Sequence, residues 1–430
     1  MTQLVFPPDF LWGVATSAHQ VEGGNVASDW WDWERAAGTA VREPSGNAVE
    51  HYERYASDLA LIASLGLNTY RFGIEWARVE PAEGAFDADA LAHYKDVVRK
   101  AHANKLTPMV TLNHFTLPRW VAAEGGWCSP RTAALFERYV RRVVAELGDD
   151  VGWYCTINEP TTVATGGYVG GWGFPPNVRD VSRWKQAIAG LIDGHKRART
   201  AIKEIRPAAK AGLAVFSIER AGNAGGKAIN DYCNRWNEDV YLEAADEDDF
   251  IGVQTYARDV VTLPRIASPL TRAALAVRPL QNIVVPRVLG LKDPLRGERA
   301  YRMTQMGWEY RPESIAFTVR RIASIYPDKD LVVTEHGVAT LNDPDRVEFI
   351  ARGLAALHDV IAEGIKLRGY VHWSLMDNFE WSTGYDANFG LVAVDRATQK
   401  RTARPSAYFL GEIARTGRLD PEAIPIGPRS

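Results

Sequence analysis

The sequence predicts an α/β protein of the (β/α)8 barrel class, one domain spanning residues 1–430. Three observations lead there. Short apolar runs alternate with segments of helical hydrophobic spacing, eight times along the chain. Two runs, Val151-Gly152-Trp153-Tyr154-Cys155-Thr156-Ile157-Asn158-Glu159 and Leu331-Val332-Val333-Thr334-Glu335, end in a glutamate. No hydrophilic linker or short repeat divides the chain, although its length would also allow two domains. In a barrel of this class the chemistry collects on the loops after the strands, so a strand-end carboxylate points into a cleft. Either glutamate alone could equally be an ordinary surface turn residue.

In chain order, residues 10–17 form the first apolar run, followed by a polar loop, Ala18-His19-Gln20-Val21-Glu22-Gly23-Gly24. Residues 51–65 carry Tyr55, Leu59, Ile62 and Leu65 at helical spacing and stop at Gly66, a C′ glycine. Residues 67–76 read as strand with Arg71 inside it. A charge in a buried strand needs a partner, which makes Arg71 a structural ion pair or an arginine aimed at a catalytic carboxylate. Helix over 87–104 and strand over 107–112 follow, the strand ending in Asn113-His114-Phe115. Ser129-Pro130 reads as cap and first-turn proline of a helix reaching 147. Pro160 reads as a stop that keeps the next helix from starting early after Glu159. Helix is then expected over 183–205, strand over 211–218, helix over 227–245 and strand over 250–256. A segment of little periodicity, about 257–311, is too long for an ordinary connection and is expected to fold over the cleft mouth. Helix over 312–325, strand over 331–335, helix over 343–363, strand over 369–375 and helix over 405–414 complete the alternation.

Composition narrows the function. Hydrophobic content of 46% and charged content of 24% describe a globular chain with a large core. A net charge of −3 gives no electrostatic reason to expect nucleic acid or an anionic membrane as partner. No apolar run approaches the ~20 residues of a membrane span, and the N-terminus lacks the pattern of a signal peptide. Cys128, Cys155 and Cys233 are odd in number and lack metal-ligand spacing, which reads as reduced thiols in a cytoplasmic protein. Fourteen Trp beside 16 Tyr suit a ligand with apolar ring faces and many hydroxyls, such as a sugar.

The expected strand ends bring Gln20, His114, Asn158, Glu159, Tyr256, Glu335 and Trp373 to one face. His19, His114 and His372 lie on different strands without a ligand framework, so no metal is expected. No phosphate-cradling glycine loop and no Gly-x-Ser-x-Gly elbow occur, and no cofactor is expected. Two carboxylates without metal or cofactor point to glycoside chemistry.

Six motifs make this specific: residues 10–23 (FLWGVATSAHQVEG), 69–76 (TYRFGIEW), 156–160 (TINEP), 333–337 (VTEHG), 373–381 (WSLMDNFEW) and 389–392 (FGLV). In this order they resemble glycoside hydrolase family 1, the retaining β-glycosidases, over essentially the whole chain. The resemblance implies Glu159 as general acid/base and Glu335 as nucleophile, with Arg71 and Tyr256 supporting the nucleophile. It implies Asn158 as the contact to the sugar 2-hydroxyl. Gln20, His114, Glu380 and Trp381 would read other hydroxyls, Trp373 would be the stacking floor, and Trp308 a leaving-group platform. The implied activity is a retaining exo-β-glycosidase acting on a small β-glycoside, foremost a β-glucosidase with β-galactosidase or β-fucosidase activity. Glu380 argues against the phosphosugar branch, which has serine there, and Glu159 against thioglucosidases, which have glutamine.

The chain also departs from the family pattern. His336 stands where Asn is usual, Thr161 where many members have Trp, and Gln254 where Asn begins an Asn-Tyr-Tyr motif. Phe115 replaces a Trp and His19 a Tyr. These changes leave the aglycone and exact glycone open. A transglycosidase or specialised-aglycone enzyme on the same scaffold, and a non-catalytic glycan-binding protein, are the alternatives; a homo-oligomer also stays open.

Overall fold

The computed structural model of the chain describes residues 3–277, 280–281, 284–285 and 302–423. Eight parallel strands close into a barrel: β1 (Leu11–Ala15), β2 (Thr69–Gly73), β3 (Thr107–Thr111), β4 (Trp153–Asn158), β5 (Lys210–Phe216), β6 (Phe250–Gln254), β7 (Asp330–His336) and β8 (Leu367–Trp373). Each pairs with its sequence neighbours and β8 returns to β1, so no strand edge is left open. Leu11, Met109, Cys155, Ala214, Phe250 and Val332 come from six different strands yet form one apolar cluster. Only a filled lumen allows that contact, and it forms a floor to the barrel interior.

The wall of helices follows the predicted order: α1 (His51–Ser64), α2 (Ala88–Ala103), α3 (Thr132–Leu147), α4 (Val181–Ile205), α5 (Lys227–Asn234), α6 (Ser314–Ile325), α7 (Asp343–Ala362) and α8 (Pro405–Thr416). Gly66 ends α1 in the left-handed region at φ 92°, the conformation that favours glycine at C′. The start expected at Ser129-Pro130 is a turn instead, since α3 begins at Thr132 with Arg131 as its N-cap. Its hydrophobic face outweighs the cap motif in setting where it starts. Residues 227–245 are not one helix, because a π turn at Arg235–Asp239 separates α5 from Val240–Ala244.

Pro160 does not delay the next helix. It is the first residue of a short helix, Pro160–Thr165. A first-turn proline lacks only an N–H that would have no intrahelical partner anyway. The segment after β6 is also more ordered than its low periodicity indicates. Arg258–Val261 pairs in parallel with Glu219–Gly222, and Ala267–Ala276 is helical. Residues 286–301 of that segment lie outside the described residues. No helix among the described residues is long and apolar enough to cross a membrane.

Candidate active site

The ladder breaks register at the two strands that end in glutamate. Pairing of β4 with β5 shifts between Cys155 and Asn158, and pairing of β7 with both neighbours shifts before its last residues. An irregularity of this kind re-aims the side chains that follow it, and such features concentrate beside active sites. Glu159 then takes φ 40° and ψ 63°, a left-handed conformation for a non-glycine residue. Phe115 at φ 73° and Trp381 at φ 48° share it. Three such residues around one cleft are strain held by the surrounding packing.

Arg71 answers the question raised by a charge inside a strand. Its Nη1 donates to Glu335 Oε1 at 2.6 Å and its Nη2 to Asn158 Oδ1 at 2.5 Å. The guanidinium is buried, and so is its carboxylate partner. Tyr256, two residues beyond β6, donates its hydroxyl to Glu335 Oε2 at 2.5 Å. Both Glu335 oxygens are therefore gripped by charge-assisted bonds. Gln254 adds a donor to Asn158 Oδ1 at 2.8 Å. With that oxygen doubly occupied, the Asn158 amide turns its nitrogen to His114 Nε2, 3.2 Å away. His114 is neutral, pushed well below its ordinary value by burial and by the charge of Arg71.

Glu159 sits differently. Its hydrogen-bond donor is the Thr162 hydroxyl, 2.8 Å from Oε2. Burial and the charge of Glu335 push its carboxyl up to about 8. Burial raises Glu335 as well, but Arg71 and Tyr256 pull it back. The proton shared by this pair therefore rests on Glu159, which among the described residues has no ion-pair partner, and the charge rests on Glu335, which Arg71 holds directly.

A second group of predicted residues lies beside this one. Gln20 donates from Nε2 to Asn378 Oδ1 at 3.1 Å, to the Phe379 carbonyl at 2.8 Å and to Glu380 Oε2 at 3.2 Å. Ser17 fixes its other end by donating to Oε1 at 2.7 Å. Burial and the charge of Glu335 raise Glu380 to about 8, against pulls from Gln20 and Trp373. His114 joins the groups, stacking on Trp373 at 5.7 Å and on Trp381 at 6.2 Å between ring centroids. Trp308 is half-buried and stands 5.6 Å from the Tyr256 ring. All eleven predicted site residues thus meet around one cleft. Gln254 and Thr162 belong to it too. Sequence reading treated the first only as a departure and passed over the second, since neither residue type announces a role. Among the described residues no group of His, Cys, Asp and Glu has the arrangement of a metal site.

The sequence pattern of glycosyl hydrolase family 1 matches residues 2–224 and 230–418. The chain belongs to that family. Thermostable β-glucosidase B of Thermobispora bispora is 31% identical, over 97% of this chain and 92% of its own length. The bifunctional β-D-glucosidase/β-D-fucosidase of Bifidobacterium breve is 30% identical, over 94% and 96%. Among solved structures, the β-glycosidase from Pyrococcus horikoshii superposes with a TM-score of 0.86 at 33% identity, covering 98% of both chains. Within this family 1 glycosidase, the Thr161 departure has a local explanation. Its hydroxyl donates to the Asn237 carbonyl, and Thr165 donates to Asn237 Oδ1 at 3.0 Å. Position 161 is buried and tied to the π turn, so it offers no aromatic face to the cleft.

Proposed function

We propose that the chain is a retaining exo-β-glycosidase working as one catalytic domain, with glucosides as its main substrates and galactosides and fucosides also cleaved. The observation that carries this is the asymmetry of the buried pair, one carboxylate held by Arg71 and Tyr256 and the other kept protonated. Retaining chemistry needs that division and a separation of about 5–5.5 Å. Glu335 attacks the anomeric carbon while Glu159 gives its proton to the departing glycosidic oxygen. Glu159, now a carboxylate, then takes a proton from water, which attacks the anomeric carbon and frees Glu335. Asn158, fixed by Arg71 and Gln254, offers an amide N–H to the sugar 2-hydroxyl, where a bond strengthens as positive charge develops.

Gln20, His114, Glu380 and Trp381 serve the remaining hydroxyls, Trp373 the ring face, and Trp308 the leaving group. Among the described residues no cation pairs with Glu380, which supports a neutral sugar over a phosphorylated one. The names of the relatives support glucoside and fucoside as substrates. Three free thiols and the absence of any disulfide among them fit a cytoplasmic setting.

Release of nitrophenol from p-nitrophenyl β-D-glucoside, -galactoside and -fucoside tests the proposal, with the glucoside expected to be cleaved fastest. Folded protein that leaves all three intact sinks it. The pH profile is a separate check. The productive state has Glu159 protonated and Glu335 ionised, so kcat/KM is expected to fall as pH rises through about 8. It should also fall in acid, at a pH above the ordinary carboxylate range, because burial raises Glu335. A flat profile through pH 9 would count against the acid assignment.

A further inference from the structure

Two histidines of this chain sit directly behind the site. His336 follows Glu335, His372 precedes Trp373, and the two are register partners across β7 and β8. Tyr370 stands between them, its hydroxyl oxygen 3.2 Å from His336 Nδ1 and 3.1 Å from His372 Nδ1. All three side chains are buried. His336 stacks on Phe349 of α7 at 4.6 Å, so the cluster lies on the helix side of the barrel wall. Gly353 of α7 leaves the room for it, since a β-carbon there would stand 2.7 Å from His336 Cε1.

A hydroxyl between two imidazole nitrogens has one proton, so it donates to one and accepts from the other. Burial pushes His336 down to about 3 and His372 well below its ordinary value. Each ring is therefore neutral with a single N–H, and because the His336 carbonyl is a more distant acceptor for the hydroxyl, at 3.5 Å, the two rings hold opposite tautomers. The far ends set the direction. The Pro312 carbonyl favours a proton on His336, although Nε2 stops short of full hydrogen-bond geometry. With that proton on Nε2, His336 Nδ1 is a bare acceptor for the Tyr370 hydroxyl. Tyr370 in turn accepts from His372 Nδ1–H, and His372 Nε2 is left as a buried lone pair with Arg346 acting on it.

We propose that His336, Tyr370 and His372 form a positioning relay that locks the strand carrying Glu335 to the strand carrying Trp373. The backbone supports this. A β-carbon on Gly337 would lie 1.9 Å from the Trp373 carbonyl oxygen, so the chain after Glu335 already abuts the residue that bears the sugar platform. Slack between the two imidazoles passes to both walls of the cleft at the height where the nucleophile leaves its strand. The positioning role rests on the retaining reading above; the tautomer pattern does not.

Tyr370→Phe removes the hydroxyl and keeps the volume. Tyr154→Phe is the control, because Tyr154 is a buried barrel tyrosine whose hydroxyl has no hydrogen-bond partner among the described residues. The first readout is NMR of nitrogen-labelled histidine, expected to show His336 as the Nε2–H and His372 as the Nδ1–H tautomer. Identical tautomers on the two rings overturn the relay. The second is the rate at which a 2-deoxy-2-fluoro-β-glucoside with a good leaving group inactivates the enzyme, against the affinity of a ground-state competitive inhibitor. Tyr370→Phe is expected to slow inactivation about tenfold and shift inhibitor affinity less than about twofold, since misplacing a nucleophile affects chemistry more than binding. Wild-type rates in Tyr370→Phe overturn the positioning role alone. A native protein that shows opposite tautomers but is never inactivated overturns the retaining reading, and the positioning role falls with it.

Discussion

Glu335→Ala is expected to lower kcat on p-nitrophenyl β-glucoside by on the order of 10⁴-fold or more, because the covalent step loses its nucleophile. Azide or formate should restore part of the rate, entering the space the carboxylate vacates and attacking from the same face. The product is then an α-glycosyl azide, of inverted configuration, which NMR or chromatography of the product identifies. Absence of rescue, or a product of retained configuration, would count against Glu335 as nucleophile. Stability bears on how the variant behaves. Alanine leaves the Arg71 guanidinium buried without its 2.6 Å partner, and breaking a buried pair on one side costs about 3–5 kcal/mol. That is a large share of a typical domain's margin. Glu335→Gln keeps an oxygen for Arg71 and should be nearly as inactive while melting closer to the parent. Activity loss common to both variants is therefore chemical, and loss confined to alanine is a folding defect.

How far the sequence carried differs between residues for physical reasons. The barrel was legible because each strand is a short apolar run buried on both faces, and that signal does not depend on tertiary detail. Arg71 was legible as a problem needing a partner, since burial of an unpaired guanidinium is so unfavourable. The register shifts before Glu159 and Glu335 were not, because a ladder irregularity is a relation between two strands and leaves no mark on either alone. For the same reason the parallel pair Glu219–Gly222 with Arg258–Val261 was missed. Four residues of ordinary polarity become a strand only when the partner is present. Thr161 shows a different limit. Its sequence position marks the loss of an aromatic residue, whereas its hydrogen bond to the π turn at 235–239 depends on a helix irregularity that periodicity reads as continuous helix.

Glu159 offers the sharpest separation of chemistry from stability. Glu159→Ala should reduce hydrolysis of alkyl glycosides, such as cellobiose, by on the order of 10³-fold, because an alkoxide leaving group needs a proton. On 2,4-dinitrophenyl β-glucoside the bond-breaking step should lose little, and the glycosyl-enzyme should accumulate because water now lacks its base. Azide should relieve that block and give a β-glycosyl azide of retained configuration, opposite to the product expected from Glu335→Ala. Equal losses on both substrates would defeat the acid/base assignment. Glu159→Gln then asks what holding this acid ready does to the fold. The folded value of about 8 lies above the unfolded value of about 4.3. The folded chain therefore binds the proton more tightly, and this contribution to stability is intact below pH 4.3. It is lost progressively as pH rises from there through about 8. At neutral pH the loss is on the order of a few kcal/mol, since each pKa unit is worth about 1.4 kcal/mol. Glutamine has the shape of the protonated acid and no charge to desolvate. Glu159→Gln should therefore melt higher than the parent at pH 7, with the difference shrinking towards pH 4. A lower melting temperature across that whole range would mean that Glu159 is held ionised by a partner, and the asymmetry on which the proton donor depends would be gone.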